Sequence, residues 1–326
     1  MYNNDQGNYD VIGDIHGHVT QLENLLKKLA YTQSGQGFYF HPTRKVIFLG
    51  DFVDGGSEHK KVIDIVKPMV ENQAAYAIMG NHEFNAISFH TNHPNEQRQL
   101  RERSIKNIGQ HIEFLSEYKK DNKKMLAAIE WFKTLPLFLD LPEVRAIHAC
   151  WSEHEINKIK HYLTSDNTVK REFFEEFYLK ANTKDSVEFD AVEILLKGVE
   201  IPLPQGIVFA DKSGTPRNNI RIKWWLQEAT TYKEYALVQK EVIDNLPDLA
   251  IQQNLIAPYY YPTNQKPVFI GHYWREGTPE LQASNVACLD YSVGKSMNQV
   301  AYQWDKGDKQ LTNNNFVCSL NDSDHV

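Results

Sequence analysis

The chain reads as an α/β protein, and three observations point there. Short apolar runs at 9–13, 45–50 and 75–79 alternate with amphipathic stretches at 20–29 and 60–70, the pattern of strands joined by helical crossovers. Each run ends in, or leads into, a glycine-bearing loop rich in Asp, His and Asn. The β pattern then returns at 268–271, 285–291 and 299–304, which predicts a second, mostly antiparallel sheet.

Taken in order, residues 9–13 form the first core strand, with Asp14 to Gly17 as the loop at its carboxyl end. Leu22, Leu25, Leu26 and Leu29 follow at helical spacing, so they share one face. Thr20 and Glu23 have the spacing of a capping box at that helix start. Residues 31–44, broken by Gly and Ser, predict a hairpin or irregular edge. The run 45–50 is the second core strand, 60–70 a second helix, and 75–79 the third strand.

From 84 to 135 the chain turns polar and helical. Arg98, Arg101 and Arg103 read as a solvated helix face. Leu126, Ile129, Phe132 and Leu135 make a core-facing stripe ended by Pro136. Residues 143–147 supply a further strand before His148. The segment from about 151 to 262 differs in kind, with charged helical stretches rich in Phe, Tyr and Trp and a Pro/Gly-punctuated middle. No repeat or low-complexity linker sets it apart. It reads as an insertion near the site within one domain spanning 1–326. The tail 313–326 is polar and predicted to fray in part.

Composition narrows the function classes. At 41% hydrophobic and 24% charged residues the chain is an ordinary globular protein, long enough for one large core plus an insertion. A formal charge of −7 gives no general nucleic-acid surface, yet bound metals would still allow phosphate substrates. No apolar run approaches the ~20 residues of a membrane span. Cys150, Cys288 and Cys318 are distant and odd in number, which predicts neither disulfides nor a zinc–cysteine site. The polar N-terminus and these thiols predict a reduced, cytoplasmic setting.

The chemistry lies in five strand-end loops: Gly13-Asp14-Ile15-His16-Gly17, Gly50-Asp51-Phe52-Val53-Asp54-Gly55, Gly80-Asn81-His82-Glu83, His148-Ala149 and Gly271-His272. One such loop alone is usually a turn; five behind strands are hard to dismiss. They offer oxygen and imidazole ligands for divalent metals. Asp14 and His16, two residues apart, project together and suit one ion. Asp51 has two oxygens and can bridge. Asn81, His148 and His272 complete a second ion. The set contains no thiolate, so manganese, iron, zinc or nickel fit, and calcium alone does not. His82 is left over and free to act as general acid, with Asp54 placed to orient and charge-stabilise it. The other histidines, His90 and His111 among them, lack such a context and read as surface or loop residues, His18 being the likeliest exception.

These motifs resemble the signature of the calcineurin-like metallophosphoesterases, nearest the phosphoprotein phosphatases and the bacterial diadenosine-tetraphosphatase-like enzymes. The match is dense over 9–83, then touches His148 and 271–304. The resemblance implies two mixed sheets in a sandwich flanked by helices, a dinuclear centre, and hydrolysis without a phosphoenzyme. It places Asp14, His16, Asp51, Asn81, His148 and His272 as ligands and His82 with Asp54 as the acid pair. It also places Asp290 beside the site. The chain departs from the family where Asp54-Gly55-Gly56 replaces Asp-Arg-Gly and where His148-Ala149-Cys150 replaces His-Ala-Gly. The missing guanidinium leaves Arg221, then Arg217, then Arg275 as candidates to clamp a substrate phosphate.

The reading is a metal-dependent phosphoric ester hydrolase using two divalent ions and in-line attack by a bridging hydroxide. A phosphomonoesterase of phosphoprotein-phosphatase type comes first and a dinucleoside polyphosphate hydrolase second. A silent scaffold that binds phosphorylated ligands is the rival from another class. The expected partner is a phosphorylated substrate (phosphoprotein, nucleotide or small phosphoester), with no membrane and no general nucleic-acid binding.

Overall fold

The computed structural model describes residues 6–210 and 214–320. The N-terminal 1–5, part of the Gly/Pro-punctuated stretch (211–213) and the tail end 321–326 lie outside the described residues.

The alternation read from the sequence is present. Strands β1 (Tyr9–Ile12), β2 (Lys45–Phe48) and β3 (Ala75–Ala77) are joined by helices α1 (Val19–Lys28) and α2 (His59–Glu71). Both strand pairs are parallel. Crossover helices cover one face of such a sheet, so its strands read as unbroken apolar runs. Asp10 is the exception, fully buried in β1. Tyr31 Oη donates to it at 2.9 Å, Arg44 Nε at 3.0 Å and Gln303 Nε2 at 3.1 Å, which satisfies the charge where a bare carboxylate would be costly.

Three helices follow: α3 (Asn81–His90), α4 (Ile105–Tyr118) and α5 (Asn122–Phe132). Next come β4 (Phe138–Asp140) and β5 (Arg145–Ile147), then α6 (Glu153–Ile159), α7 (Phe174–Ala181) and α8 (Val187–Lys197). Strands β6 (Val268–Ile270), β7 (Val286–Cys288), β8 (Val300–Trp304) and β9 (Phe316–Cys318) end the chain. They form two mixed sheets, in the orders β9-β8-β1-β2-β3 and β7-β6-β5-β4. Tyr9, Val11, Ile47, Phe269, Ala287 and Tyr302 pack together between the sheets. Ile12, Phe48, Ile147 and Ile270 face the other way, into the helical layers. No helix among the described residues is long and apolar enough to cross a membrane.

The structure corrects several sequence expectations. The returning strands are not one antiparallel sheet: β6 pairs parallel with β7 and with β5, while β8 runs antiparallel to β1 in the other sheet. Alternating apolar residues mark a strand but do not name its partner. Helix α1 starts at Val19 with His18 before it and no side-chain cap, so Thr20 falls inside the helix, not at its cap. Leu126 is 47% exposed, because α5 buries only the later residues Ala128, Ile129, Trp131 and Phe132. Arg98, Arg101 and Arg103 precede α4 in a loop, not on a helix face. The tail, expected to fray in part, is no such correction: Phe316–Cys318 form β9 on the sheet edge, and 321–326 lie outside the described residues.

The stretch between β5 and β6 braces the loops it interrupts. The Leu195 carbonyl of α8 accepts the N–H groups of Ala149 and Cys150 at 3.0 and 3.3 Å. Trp224 Nε1 donates to Tyr273 Oη at 2.9 Å, and that hydroxyl donates to the Ala149 carbonyl at 3.1 Å. His148 and His272, each one residue from these contacts, are therefore held by the same clasp.

Candidate metal centre

Every predicted ligand follows the carboxyl end of a strand: Asp14 and His16 after β1, Asp51 after β2, Asn81 after β3, His148 after β5 and His272 after β6. Crevices at these strand ends are where open α/β sheets bind ligands. The loops are tied by backbone hydrogen bonds, with Ile15 and His16 N–H donating to the Asp51 carbonyl at 3.0 and 2.8 Å. Gly80 and Gly271 permit the close approach, since a Cβ at either would collide with a carboxylate oxygen, of Asp51 and Asp14 respectively. His16, Asp51, Asp54, His272 and Trp274 all adopt positive φ, uncommon for side-chain-bearing residues and characteristic of functional loops.

Four donors converge on one point. Asn81 Oδ1 lies 3.0 Å from His148 Nε2 and 2.8 Å from His272 Nδ1, and Asp51 Oδ2 lies 3.2 Å from His148 Nε2. His148 Nδ1–H donates to the Leu49 carbonyl at 2.7 Å, which turns Nε2 toward two oxygen acceptors. Those oxygens call for positive charge at that point, a ring proton or a bound cation. On the other side, His16 donates Nδ1–H to the Val53 carbonyl at 3.2 Å, leaving Nε2 3.9 Å from Asp14 and 3.7 Å from Asp51. Asp51 stands between the two groups, as a bridging carboxylate must. Its Oδ1 accepts the His82 N–H at 2.9 Å.

Electrostatics agree with this demand for positive charge. Asp14, Asp51 and Asp290 are all buried. Burial, then the Asp290 charge, pushes Asp14 well above the usual carboxylate range. Burial opposes ionisation of Asp51 too, but His148, His82 and His16 hold it well below that range. Against its own burial, His148 is carried up to about 10 by Asp51 and Asp14. His272 is pushed down by burial and by the charge of Arg221. The donor set suits borderline divalent ions: donor atoms of Asp51, His148 and His272 lie within 4.8 Å of one another, as do those of His16, Asp51 and His82.

His82 and Asp54 form the expected pair, His82 donating Nδ1–H to Asp54 Oδ2 at 2.7 Å. Burial works against protonation of His82, yet Asp51 and Asp54 carry it up to about 9. Its Nε2 is 3.9 Å from Asp51 Oδ2, on the metal side. Asp290 accepts Trp274 N–H at 2.8 Å through Oδ2 and Ser292 N–H at 3.0 Å through Oδ1, so it shapes the loop after His272. Among the arginines, Arg221 bears electrostatically on His272 and pairs with Glu200 at 3.3 Å. Arg275 donates its backbone N–H to the Asp290 carbonyl at 2.8 Å. Arg217 lies exposed on the strand Pro216–Arg217, paired with Phe209–Ala210.

Three contributors escaped the sequence reading. Glu83 is fully buried and accepts the N–H groups of Asp51, Phe52 and Gly80 at 2.8, 2.8 and 3.0 Å, locking the β2 and β3 loops together. Burial, then Asp51, raises it to about 7. His111, set aside as a surface or loop residue, is 4% exposed and donates to Asp54 Oδ1 at 2.7 Å. Its signal was its place on the apolar stripe with Phe114 and Tyr118. Arg101 donates to Asn85, to Asn107 at 3.0 Å and to Gln110 at 2.7 Å, beside the acid pair.

Comparison with known proteins gives the same site a family. The chain is 35% identical over 152 residues to bis(5'-nucleosyl)-tetraphosphatase PrpE of Oceanobacillus iheyensis, covering 46% of this chain and 58% of that one. It is 40% identical over 74 residues to the protein of the same name from a Geobacillus species, covering 22% and 30%. The chain thus spans between about a third and three fifths of these relatives' lengths. Among solved structures, a cold-active protein-tyrosine phosphatase of a Shewanella species is similar at 15% identity and a TM-score of 0.46, covering 90% of this chain and 75% of that one. A protein serine/threonine phosphatase from Saccharomyces cerevisiae is similar at 15% identity and a TM-score of 0.47, covering 95% and 78%. The calcineurin-like phosphoesterase family model matches residues 8–198, from β1 through α8. The chain belongs to the calcineurin-like phosphoesterase family.

Proposed function

We propose that the chain is a metal-dependent phosphoric ester hydrolase, a phosphomonoesterase of the phosphoprotein-phosphatase type. The observation that carries this reading is the His82–Asp54 pair, set at 2.7 Å beside converging oxygen and imidazole donors. Two divalent ions, when bound, supply an activated water and the charge stabilisation that in-line displacement at phosphorus requires. His82 presents a protonated Nε2 toward the metal side and gives that proton to the leaving oxygen. Asp54 fixes the ring and keeps it charged. An alkoxide leaving group needs such a proton, whereas a phosphate leaving from an anhydride needs it less. The stretch at about 151–262, read as an insertion, carries Arg221, whose charge bears on His272 and whose guanidinium suits a substrate phosphate.

A second reading, hydrolysis of dinucleoside polyphosphates, has two supports. The relatives named above carry that activity in their names. Arg221 and Arg275 each have a buried Nε without a hydrogen-bond partner among the described residues, and two guanidinium groups suit a longer phosphate chain.

Metal analysis combined with a substrate panel tests both. The expected result is two ions per chain and turnover of p-nitrophenyl phosphate, with kcat/KM for a phosphoserine peptide at least about tenfold above that for diadenosine tetraphosphate. The reverse order selects the second reading. Binding without turnover of any of the three returns the chain to a phosphate-binding scaffold.

A further inference from the structure

Asp54 serves two imidazoles, one on each carboxylate oxygen. His82 Nδ1 lies 2.7 Å from Oδ2 and His111 Nδ1 lies 2.7 Å from Oδ1. A carboxylate only accepts, so both Nδ1 atoms carry protons and donate. Asp54 is 3% exposed, and its backbone is left-handed at φ +65°. A side chain on such a backbone stays in place only when its surroundings fix it.

His111 is itself well fixed. Phe114, one turn along α4, stacks on its ring with centroids 4.6 Å apart and planes at 19°, and Phe89 of α3 packs at 5.2 Å. Its Nε2 lies 3.2 Å from His90 Nε2 at the end of α3. The two rings therefore share a hydrogen bond, and the series runs His82, Asp54, His111, His90. Arg101 lines the same small cavity of about 10 Å³ with Asp54, His82 and His111. The three side-chain acceptors it holds are neutral amide oxygens of Asn85, Asn107 and Gln110. Those contacts leave the Asp54 oxygens to the two imidazoles.

We propose that His111 is a positioning residue: its Nδ1–H fixes the Asp54 carboxylate so that His82 keeps Nε2 aimed at the space beside Asp51. This rests on the hydrolase reading above, in which His82 protonates the leaving oxygen. Without His111, Oδ1 loses its hydrogen-bond partner, the carboxylate turns, and the His82 ring turns with it. The chemistry at the metals is untouched, so the defect falls on esters that need an acid.

Three variants of the full chain separate positioning from packing. His111→Phe keeps the aromatic stack and removes the donor, His111→Gln moves a donor outward, and His111→Asn keeps an N–H near the Nδ1 position. Metal content and Tm are measured with each. On an alkyl phosphate, the Phe and Gln variants lose about tenfold in kcat, a part of the ~10²–10⁴ that a general acid supplies. KM stays within about twofold, and p-nitrophenyl phosphate loses less than about threefold. The Asn variant restores the alkyl phosphate rate. Equal loss on both esters, or an unimpaired Phe variant, overturns the proposal. Nitrogen-edited NMR of the imidazole N–H groups gives a readout free of turnover: the His82 Nδ1–H signal exchanges slowly in the parent and is lost or broadened in His111→Phe. If the parent hydrolyses no phosphate ester, the hydrolase reading falls. An unchanged His82 signal then overturns the positioning role by itself, and a lost signal sustains it.

Discussion

Gly271 and Asp14 are so close that a Cβ at position 271 would collide with the Asp14 carboxylate. The carboxylate is also pinned by the His272 N–H, 3.0 Å from Oδ2. Asp14 thus cannot retreat without breaking its hold on the His272 loop. Gly271→Ala is expected to displace the Asp14 carboxylate and weaken one metal site while the sheets remain intact. Metal content after dialysis, read beside the far-ultraviolet circular dichroism, checks this. A Gly271→Ala protein with full metal content would show that the contact does not matter.

Asp51 occupies the centre between the two donor groups, with one oxygen 3.2 Å from His148 Nε2 and the other accepting the His82 N–H. Asp51→Asn keeps the shape and an acceptor but removes the bridging charge. Both ions are expected to bind less tightly, with turnover lost and Tm nearly unchanged in chelator. Retained activity in the metal-replete variant would remove Asp51 from the bridging role.

Glu83 answers three backbone donors from two loops. Glu83→Ala leaves those N–H groups buried and unpaired, at about 1–3 kcal/mol for each that finds no water. The expected outcome is a lower denaturant midpoint by an amount equivalent to at least about 2 kcal/mol, together with loss of metal. A midpoint within error of the parent would mean that water replaces the carboxylate fully.

The six proposed ligand positions could be picked out because each lies one to four residues past a strand end, where an apolar run and a glycine announce the loop. Asp14 with His16, and Asn81 with His82, carry their meaning in local spacing. His111 was not legible in that way, since its partner Asp54 is 57 residues distant and nothing local marks the meeting. A histidine on an apolar helix stripe says only that it is buried. The same limit hid the place of β8: its alternating residues announce a strand, but only the tertiary fold sets it against β1. Arg101 was misread for a related reason. A basic run looks solvated until another element, here α3 through Asn85, supplies a partner.

His90 gives a pH dependence with a definite sign. Burial, then the neighbouring His111, pushes it down to about 4 from the ordinary 6.5. Between those values the unfolded chain takes up a proton that the folded chain refuses, so stability falls as pH drops from about 6.5 toward 4. Above about 6.5 the group contributes no slope. His90→Gln removes this titration while keeping a polar side chain, and the loss of stability over that window is expected to be shallower. Urea midpoints at pH 7, 5.5 and 4.5 for parent and variant decide it. Parallel curves would mean that His90 titrates normally in the fold.

The last prediction concerns the guanidinium missing after Asp54. Gly55 stands where the resemblance to the family implies an arginine, so a bound phosphate would take its planar fork from elsewhere. Arg221 meets the requirement best: it ends the strand Asn219–Arg221, its charge bears on His272, and its Nε is buried without a partner among the described residues. Its ion pair with Glu200 at 3.3 Å is half-exposed and easily exchanged. Arg275 is second, three residues past His272, and Arg217, exposed on its own hairpin, is now third. A charge-assisted contact is worth about 1.5–3 kcal/mol, so Arg221→Ala should cut kcat/KM by roughly tenfold to a hundredfold at ~1.4 kcal/mol per decade. Metal content should not change. Arg275→Ala should cost less, and Arg217→Ala should stay within about twofold. Steady-state kinetics on the three single variants checks the order. If none loses more than about twofold, the phosphate clamp is not an arginine of this set.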